Sequence, residues 1–304
     1  MKIIKKEDEN YPRALLKIKN PPAKLYVEGN EKLLNNKSIA IVGARLCSEY
    51  GIKYAQKFSK VLSQKGYTII SGLAIGIDTV AHDTAKNYKG NTIAVIGSGL
   101  NYIFPKENEK LFQEILNQNG CIISEYEPNQ KVDMANFPKR NRIISGIAKG
   151  ILVVEAGYRS GSHITGRLGL EQGKDVFCLP RNIEDSKGIG TNELIQKGAK
   201  LVTKPEDIIQ AIEGKIEKTK KNALIEKREE EIATKNIPPE YMPIYQITSY
   251  TPQNIQDFAR KSGFTIAEVT QKLIMLELQG HIKSMPRKLL CKNIKEGKCT
   301  KDIP

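Results

Sequence analysis

The order of apolar segments is the feature that most constrains how this chain folds. Residues 38–42 form a compact β-branched run followed at once by Gly43, which predicts a buried strand entering a tight turn. Residues 54–64 carry apolar side chains at helical spacing and stop before Gly66, a typical helix C-cap. A strand followed by an amphipathic helix predicts one unit of a mostly parallel sheet with helices on both faces.

The same alternation continues to about residue 213. Strands are predicted at 68–70, 92–96, 121–124, 151–154 and 175–179, and helices at 79–86, 107–117, 142–148 and 165–172. The fold class is therefore α/β, with a doubly wound sheet. In such sheets ligands bind beyond the carboxyl ends of the strands, and this chain carries its glycine-rich and basic segments there.

A second, smaller domain follows a charged segment. Residues 215–239 include three consecutive glutamates and a Pro-Pro pair, which predicts a linker. Helices at 254–261 and from Thr265 to Gly280, then strands at 282–284 and 289–291, are typical of a winged helix over 240–304. A helical dimerisation or docking module would give the same pattern. The predicted boundaries are a short N-terminal segment, 1–37, the sheet domain, 38–214, the linker, 215–239, and the winged-helix-like domain, 240–304.

Charge and hydropathy narrow the possible partners. The chain has 48 Lys plus Arg against 34 Asp plus Glu, a net charge of +14. This favours polyanionic partners, although positive charge also serves solubility. No apolar run approaches the ~20 residues of a membrane span, and the first residues become charged before a signal peptide could form. We therefore expect a cytoplasmic protein with no membrane partner. The five cysteines show no metal-ligand spacing, so reduced thiols and no metal site are expected.

Glycines and a cation follow the first predicted strands. Gly43 allows a tight turn, Arg45 offers a planar fork suited to phosphate, and Ser48 can cap the next helix. The turn lacks the G-x-G-x-x-G spacing of a dinucleotide site. Gly72 and the later Gly-Ser-Gly at 97–99 repeat the glycine-rich character, so three strand ends outline an anion-accepting rim.

The densest basic cluster lies at residues 136–142, where Lys139, Arg140 and Arg142 accompany Phe137 and Asn141. Cations that bind phosphates beside a ring that can stack on a base are typical of a nucleic-acid site. A solvated turn in which Arg142 pairs with an acidic residue of the fold would explain the same cluster. The pattern leaves both interpretations open.

A further site is predicted after the strand at 151–154. Ser160, Gly161 and Ser162 precede a helix and have the composition of a phosphate site at a helix N-terminus. Glu155 and Glu171 could serve as acid and base in a nucleotide N-glycosidase-like enzyme, which is the alternative function. No clear nucleophile, metal cluster or paired-carboxylate motif accompanies them, so no catalytic residue is assigned. The three histidines are scattered, which favours structural roles.

Together these motifs resemble one known family. The segments at 43–51, 71–78, 97–108, 124–125, 137–144, 154–165 and 190–201 are similar, in order, to motifs of the DNA-processing protein DprA (Smf) family. The resemblance covers about residues 11–213, and the C-terminal pattern is similar to the winged helix that many members append. It implies a Rossmann-like doubly wound, mostly parallel sheet with a small C-terminal winged-helix domain.

The resemblance also implies a function. Members bind single-stranded DNA through the basic mouth of the Rossmann-like domain, work as a homodimer and load the RecA recombinase onto incoming DNA in natural transformation, with no reaction and no cofactor. Arg181 stands where the family usually has glycine, so we expect it to add a cation at the edge of the site. The expected DNA-binding residues are Gly43, Arg45, Ser48, Gly72, Phe137, Lys139, Arg140, Asn141, Arg142, Ser160, Gly161, Ser162 and Arg181.

Overall fold

The computed structural model describes residues 1–214, 237–249, 253–285 and 289–292. The chain divides into two compact units, Met1–Lys215 and Ile216–Pro304. Most of the predicted linker, and the tip of the predicted wing at 286–288, lie outside the described residues.

The first unit is built on a nine-stranded sheet. Its strands are β1 (Lys2–Lys5), β2 (Lys24–Gly29), β3 (Ser38–Val42), β4 (Thr68–Ser71), β5 (Thr92–Ile96), β6 (Cys121–Ser124), β7 (Gly150–Val153), β8 (Asp175–Cys178) and β9 (Lys200–Leu201). Their order is β1-β2-β6-β5-β4-β3-β7-β8-β9. In this order, the seven strands from β6 through to β9 run parallel to one another. The two antiparallel pairings of this sheet are those of β1 with β2 and of β2 with β6. The predicted fold class is confirmed, and the segment at 1–37 supplies two strands of this same sheet.

Helices cover both faces of the sheet. They are α1 (Glu49–Gln64), α2 (Ile77–Ala85), α3 (Glu109–Asn117), α4 (Asn136–Ile147), α5 (Gly161–Glu171), α6 (Ile189–Gln196) and α7 (205–214). Alternate residues of β3 point to opposite faces: Ile39 and Ile41 belong to the core formed with α1, α2 and α7. Ala40 and Val42 belong to the core formed with α4 and α6. Because both faces are buried, every residue of β3 is buried, as its continuous apolar run predicts.

Helix α5 lies unusually close to the sheet. Glycine inside a helix costs about 1 kcal/mol relative to alanine, and α5 contains two glycines in its interior. A Cβ at Gly169 would lie 2.5 Å from Cδ1 of Ile151, and one at Gly166 would lie 2.6 Å from Cδ1 of Leu194. The glycines therefore allow a close approach that no larger residue permits.

The direction of winding reverses between β3 and β7. From β3 the chain proceeds through β4, β5 and β6 on one side, and β7, β8 and β9 follow on the other. The loops after β3 and β7, residues 43–48 and 154–160, are therefore neighbours at the carboxyl edge of the sheet. Such a reversal opens the crevice in which doubly wound sheets bind ligands.

The second unit contains α8 (Met242–Ile247), α9 (Ile255–Ser262), α10 (Ile266–Leu278) and the antiparallel pair β10 (Ile282–Met285) and β11 (Leu289–Lys292). Thr265 caps α10 as predicted, in a capping box with Glu268. Gly263 ends α9 with a φ of 74°. Three helices followed by a two-stranded sheet form the predicted winged helix around a core of Ile244, Phe258, Val269, Leu273 and Leu276.

Within the described residues, every helix is too short or too polar to cross a bilayer.

Candidate nucleic-acid interface

The basic cluster at 136–142 is helical. The sequence predicts a helix from residue 142 preceded by a turn, whereas α4 begins at Asn136. Pro138 is tolerated because it lies in the first turn, where its missing N–H would have no intrahelical partner. The six residues from Phe137 to Arg142 are therefore distributed around a helix, and only some of them face solvent.

Arg140 lies on the buried side of α4. Three, four and seven residues further along are Ile143, Ile144 and Ile147, and all four positions are buried. One guanidinium nitrogen of Arg140, Nη1, donates to the carbonyl oxygens of Gly72, at 2.8 Å, and of Val95. These bonds hold together the carboxyl ends of β4 and β5. They correct the expectation of a phosphate contact at this residue, since its guanidinium is used inside the fold.

Arg140 stays charged although it is buried. Burial lowers its pKa to about 10, with the nearby Asp78 acting in the opposite direction, so it remains protonated at neutral pH. Burial raises the pKa of Asp78, against the influence of Arg140, and Asp78 accepts a hydrogen bond from the Gly72 amide at 3.0 Å. A Cβ at Gly72 would lie 2.8 Å from Oδ2 of Asp78 and 2.9 Å from Nη2 of Arg140. Gly72 is thus required by packing.

Arg142 also has a partner within the fold. Its Nη2 lies 2.6 Å from Oε1 of Glu125, and both side chains are about one-quarter exposed. Of the two interpretations of the basic cluster, the one that pairs Arg142 with an acidic residue is confirmed for this side chain.

Arg181 corrects another expectation. It forms ion pairs with Glu155 and Asp185, its side chain is only 8% exposed, and its guanidinium carbon lies 4.8 Å from the centroid of the Tyr50 ring. It therefore adds no free cation to the edge of the site. It connects the loops after β3, β7 and β8 across the crevice.

Glu155 is the centre of this crevice network. It is fully buried and accepts hydrogen bonds from the Ser48 amide, at 3.1 Å, from the Ser48 hydroxyl and from Arg181. Ser48 in addition caps α1 by accepting from the Gly51 amide at 3.1 Å. Glu155 thus supports the loops that meet at the reversal of the sheet.

The carboxylates named for the enzymatic alternative do not converge. The carbonyl of Glu155 accepts from Ser162 in the first turn of α5, whereas Glu171 is the last residue of that helix. Nine residues of helix separate Ser162 from Glu171, a rise of about 14 Å. Glu171 lies at the surface beside Arg167. This arrangement does not favour general acid–base catalysis by the two glutamates.

Two of the expected cations remain free. Arg45 and Lys139 are exposed, and neither forms an ion pair with any residue that the structure describes. Arg45 follows β3, and it is close enough to Arg140 to contribute to the lowering of that residue's pKa, after burial. Lys139 lies beside Arg140 in the first turns of α4. The two free cations therefore occupy the same edge of the sheet.

Phe137 lies in the first turn of α4, and its ring centroid is 5.8 Å from the guanidinium carbon of Arg140. Its ring packs so closely on the backbone after β5 that a Cβ at Gly97 would lie 2.8 Å from Cδ1 of the ring. The ring centroid of Phe104 is 5.5 Å away, and Phe104 is 36% exposed. Other exposed apolar side chains on loops at this edge are Leu46, Ile75, Tyr102, Met134, Tyr158 and Ile183. Exposed rings and aliphatic groups beside free cations suit unpaired bases and their phosphates.

The N-terminus of α5 meets α4 at this edge. The side-chain amide of Asn141 donates to the carbonyl of Gly161 at 3.3 Å. Ser160 caps α5 by accepting from the His163 amide, and Ser162 donates to the Glu155 carbonyl. A Cβ at Gly161 would meet nothing within 4 Å. Of this predicted phosphate site, the backbone at Gly161 is open to solvent, while the Ser162 side chain is used internally.

His82 supports the loop after β4. The sequence predicts a structural role for this residue but not which one. Its Nε2 accepts from the amide of Leu73, which has a φ of 57°, and its Nδ1 lies 2.7 Å from Oγ1 of Thr92. Thr92 donates to a carbonyl, so Nδ1 carries the proton and the ring is neutral. Burial, followed by the charge of Arg140, lowers the pKa of His82 to about 3.

We expect His82 to make the first unit sensitive to acid. Between pH 6.5 and 3 the unfolded chain binds a proton at this residue and the folded chain does not, so stability falls as pH falls. At about 1.4 kcal/mol per pH unit, moving from pH 7 to pH 5 removes about 2 kcal/mol. Urea unfolding at both pH values measures this loss. A His82→Gln variant should be less stable at pH 7 and lose about 2 kcal/mol less on acidification; an equal loss in both proteins would contradict the assignment.

The amino-acid sequence is similar to those of known DNA-processing proteins. A family model described as DNA recombination-mediator protein A matches residues 2–213, and one described as the DprA winged helix domain matches residues 229–287. Protein Smf of Escherichia coli is 38% identical over 292 residues, covering 93% of this chain and 75% of its own length. DNA processing protein DprA of Streptococcus pneumoniae is 43% identical over 206 residues, covering 68% and 72%.

Two solved structures are similar to the first unit. The X-ray structure of DprA from Streptococcus pneumoniae has a TM-score of 0.66 at 42% identity, covering 69% of this chain and 74% of that one. DNA processing protein A from Helicobacter pylori, whose structure is described as showing a single-stranded DNA binding mode, has a TM-score of 0.63 at 32% identity, covering 71% and 97%. With a family model that matches more than two-thirds of its length, this chain belongs to the DNA recombination-mediator protein A family.

Proposed function

We propose that the carboxyl edge of the nine-stranded sheet binds single-stranded DNA with little sequence preference. The observation that carries the proposal is that Arg45 and Lys139 are exposed and form no ion pair with the described residues, at the same edge of the sheet as the Phe137 ring, while the other arginines of the expected site are paired internally. Free cations and a ring are the elements that a non-specific single-strand site needs. The single-stranded DNA binding described for the Helicobacter pylori relative supports the same proposal.

The expected site residues take two kinds of role in this proposal. Arg45, Lys139 and the backbone at Gly161 contact phosphates, and Phe137, backed by Phe104, stacks on a base. The others position these groups through the contacts described above, and they are Ser48, Gly72, Arg140, Asn141, Arg142, Ser160, Ser162 and Arg181. Gly43 does so by allowing a close approach of the loop after β3 to α2, since a Cβ there would lie 2.5 Å from Cγ1 of Ile77. No catalytic residue, metal or cofactor is proposed.

The cellular role is proposed from the family. The protein would act in the cytoplasm as a homodimer, protect incoming single-stranded DNA and load the RecA recombinase onto it during natural transformation. Pull-down of RecA by the protein in the presence of single-stranded DNA tests the last step. Sedimentation tests the dimer: a monomer at all concentrations would contradict it.

Binding should depend steeply on salt. A fluorescent oligothymidine titrated with the protein at several salt concentrations gives the slope of log affinity against log salt. For single strands the slope is about −0.7 per phosphate neutralised, so the two free cations alone contribute about −1.4. We expect tighter binding to the oligothymidine than to a duplex of equal length, because a duplex keeps its bases stacked and unavailable to Phe137. Equal affinity for both, or no dependence on salt, would overturn the proposal.

A further inference from the structure

Another exposed ring at the same edge of the sheet is that of Tyr158, in the loop after β7. Tyr158 is 58% exposed, and its ring stacks on the buried ring of His163, with centroids 6.3 Å apart and an interplanar angle of 30°. Nε2 of His163 lies 3.3 Å from Oε2 of Glu193. Tyr158 is thus an exposed ring backed by a buried one, which leaves its outer face open to a base.

Arg159 accompanies this ring. Its guanidinium carbon lies 5.0 Å from the Tyr158 ring centroid, and its backbone has a φ of 54°, a left-handed conformation that is uncommon for residues other than glycine. The side chain is exposed and forms no ion pair with the described residues. This backbone conformation places the cation of Arg159 against the Tyr158 ring.

Tyr158 and Arg159 lie at the same edge of the sheet as the site around Phe137. The β7 loop is next to the loop of Arg45, because β7 pairs with β3. The hydrogen bond from Asn141 to Gly161 joins the middle of α4 to the start of α5. Phe137 packs on the backbone after β5, and β7 is three strands further along the sheet, a separation of about 14 Å. One base cannot contact both rings, but a strand of several nucleotides can.

We propose that Tyr158 and Arg159 form a second base-stacking subsite, so that single-stranded DNA runs from Phe137 past Arg45 to the loop after β7. The inference rests on the proposed function, because it extends the same interface. On binding, a base stacks on the Tyr158 ring or on the guanidinium plane of Arg159, and the charge of Arg159 faces a phosphate.

The chain contains no tryptophan, which permits a direct test. Tyr158→Trp introduces a single tryptophan at the subsite, whose emission can be excited separately from that of the tyrosines. As the control, Tyr88→Trp places one after α2, in the connection to the start of β5 at the opposite edge. Adding oligothymidine should quench the first protein and leave the second unchanged. Binding by anisotropy without quenching at position 158 would overturn the subsite. Failure of the unmodified protein to bind any oligothymidine would instead overturn the proposed function.

A length series gives an independent readout. With oligothymidines spanning the about 4–16 nucleotides typical of single-strand sites, Tyr158→Ala should weaken binding of the long oligomers about 5- to 100-fold. The shortest oligomers, which can occupy the Phe137 side alone, should change much less, and Tyr158→Phe should bind like the unmodified protein. An equal effect at every length, or no effect at any length, would contradict the second subsite.

Discussion

Replacing Arg45 and Lys139 together with glutamate is expected to weaken single-stranded DNA binding at least a hundredfold. A hydrogen bond to a charged group contributes about 1.5–3 kcal/mol, so losing both phosphate contacts costs about 3–6 kcal/mol. Reversing the charge adds repulsion between the new carboxylates and the phosphates. At 1.4 kcal/mol per tenfold change, this loss corresponds to a factor of at least about 100 in Kd.

Folding should survive these substitutions. Both side chains are exposed and form no ion pair within the described part of the chain, so nothing buried loses a partner. The arginines that the fold uses, Arg140 and Arg181, could not be tested in this way, because replacing either would disturb internal hydrogen bonds. The melting temperature of the double variant should therefore stay near that of the unmodified protein.

A matched control separates this site from general electrostatics. Lys65 and Lys89 are exposed lysines that follow α1 and α2, at the edge of the sheet opposite the proposed site. Changing both to glutamate alters the net charge by the same amount and should change affinity only slightly. If both double variants lose affinity equally in fluorescence anisotropy, the binding surface is not the carboxyl edge.

Glu155→Ala is expected to destabilise the first unit by about 3–5 kcal/mol. Removing one partner of a buried ion pair leaves the other charge uncompensated, and the Arg181 side chain is only 8% exposed. The amide and hydroxyl of Ser48 lose their acceptor in the same substitution. For a unit of about 200 residues, this loss lowers the melting temperature by roughly 6–20 °C, measurable by thermal unfolding.

Glu171→Ala is the control on the same helix. Glu171 is 59% exposed and pairs with the equally exposed Arg167, so its removal should cost under about 1 kcal/mol. Adding Arg181→Met to Glu155→Ala should recover part of the lost stability, because the unpaired charge is removed. Similar losses for the two glutamate variants, or no recovery in the double variant, would contradict the role given to the crevice network.

The parallel sheet could be predicted because most of its strands are short, continuous apolar segments of the sequence. Ser38–Val42 and Thr92–Ile96 are buried on both faces of the sheet. Such a segment can be recognised as a strand without knowing which strands it pairs with. Strands β1 and β2 were not predicted. Their burial is partial, Lys2–Lys5 having a single buried residue, and the pairing of β2 with β6 joins distant parts of the chain.

The start of α4 shows where a local reading of the sequence fails. A proline and three cations between residues 138 and 142 are typical of a solvated turn, and this pattern outweighed the helical spacing of Arg140, Ile143, Ile144 and Ile147. That spacing contained the signal for a buried arginine. No local signal predicts the partner of Arg181, because Glu155 lies 26 residues away and the two meet only through the pairing of β7 and β8.

Photo-cross-linking to an oligothymidine that carries 5-iodouracil is the most direct test of single-stranded DNA binding at the carboxyl edge of the sheet. Mass spectrometry of the cross-linked full-length chain identifies the residues that touch bases. We expect cross-links at the carboxyl edge of the sheet, at Phe137 or Phe104 and at Tyr158, and their loss in the Arg45→Glu, Lys139→Glu double variant. Cross-links confined to the winged-helix unit, or to the edge that carries Lys65 and Lys89, would contradict this expectation.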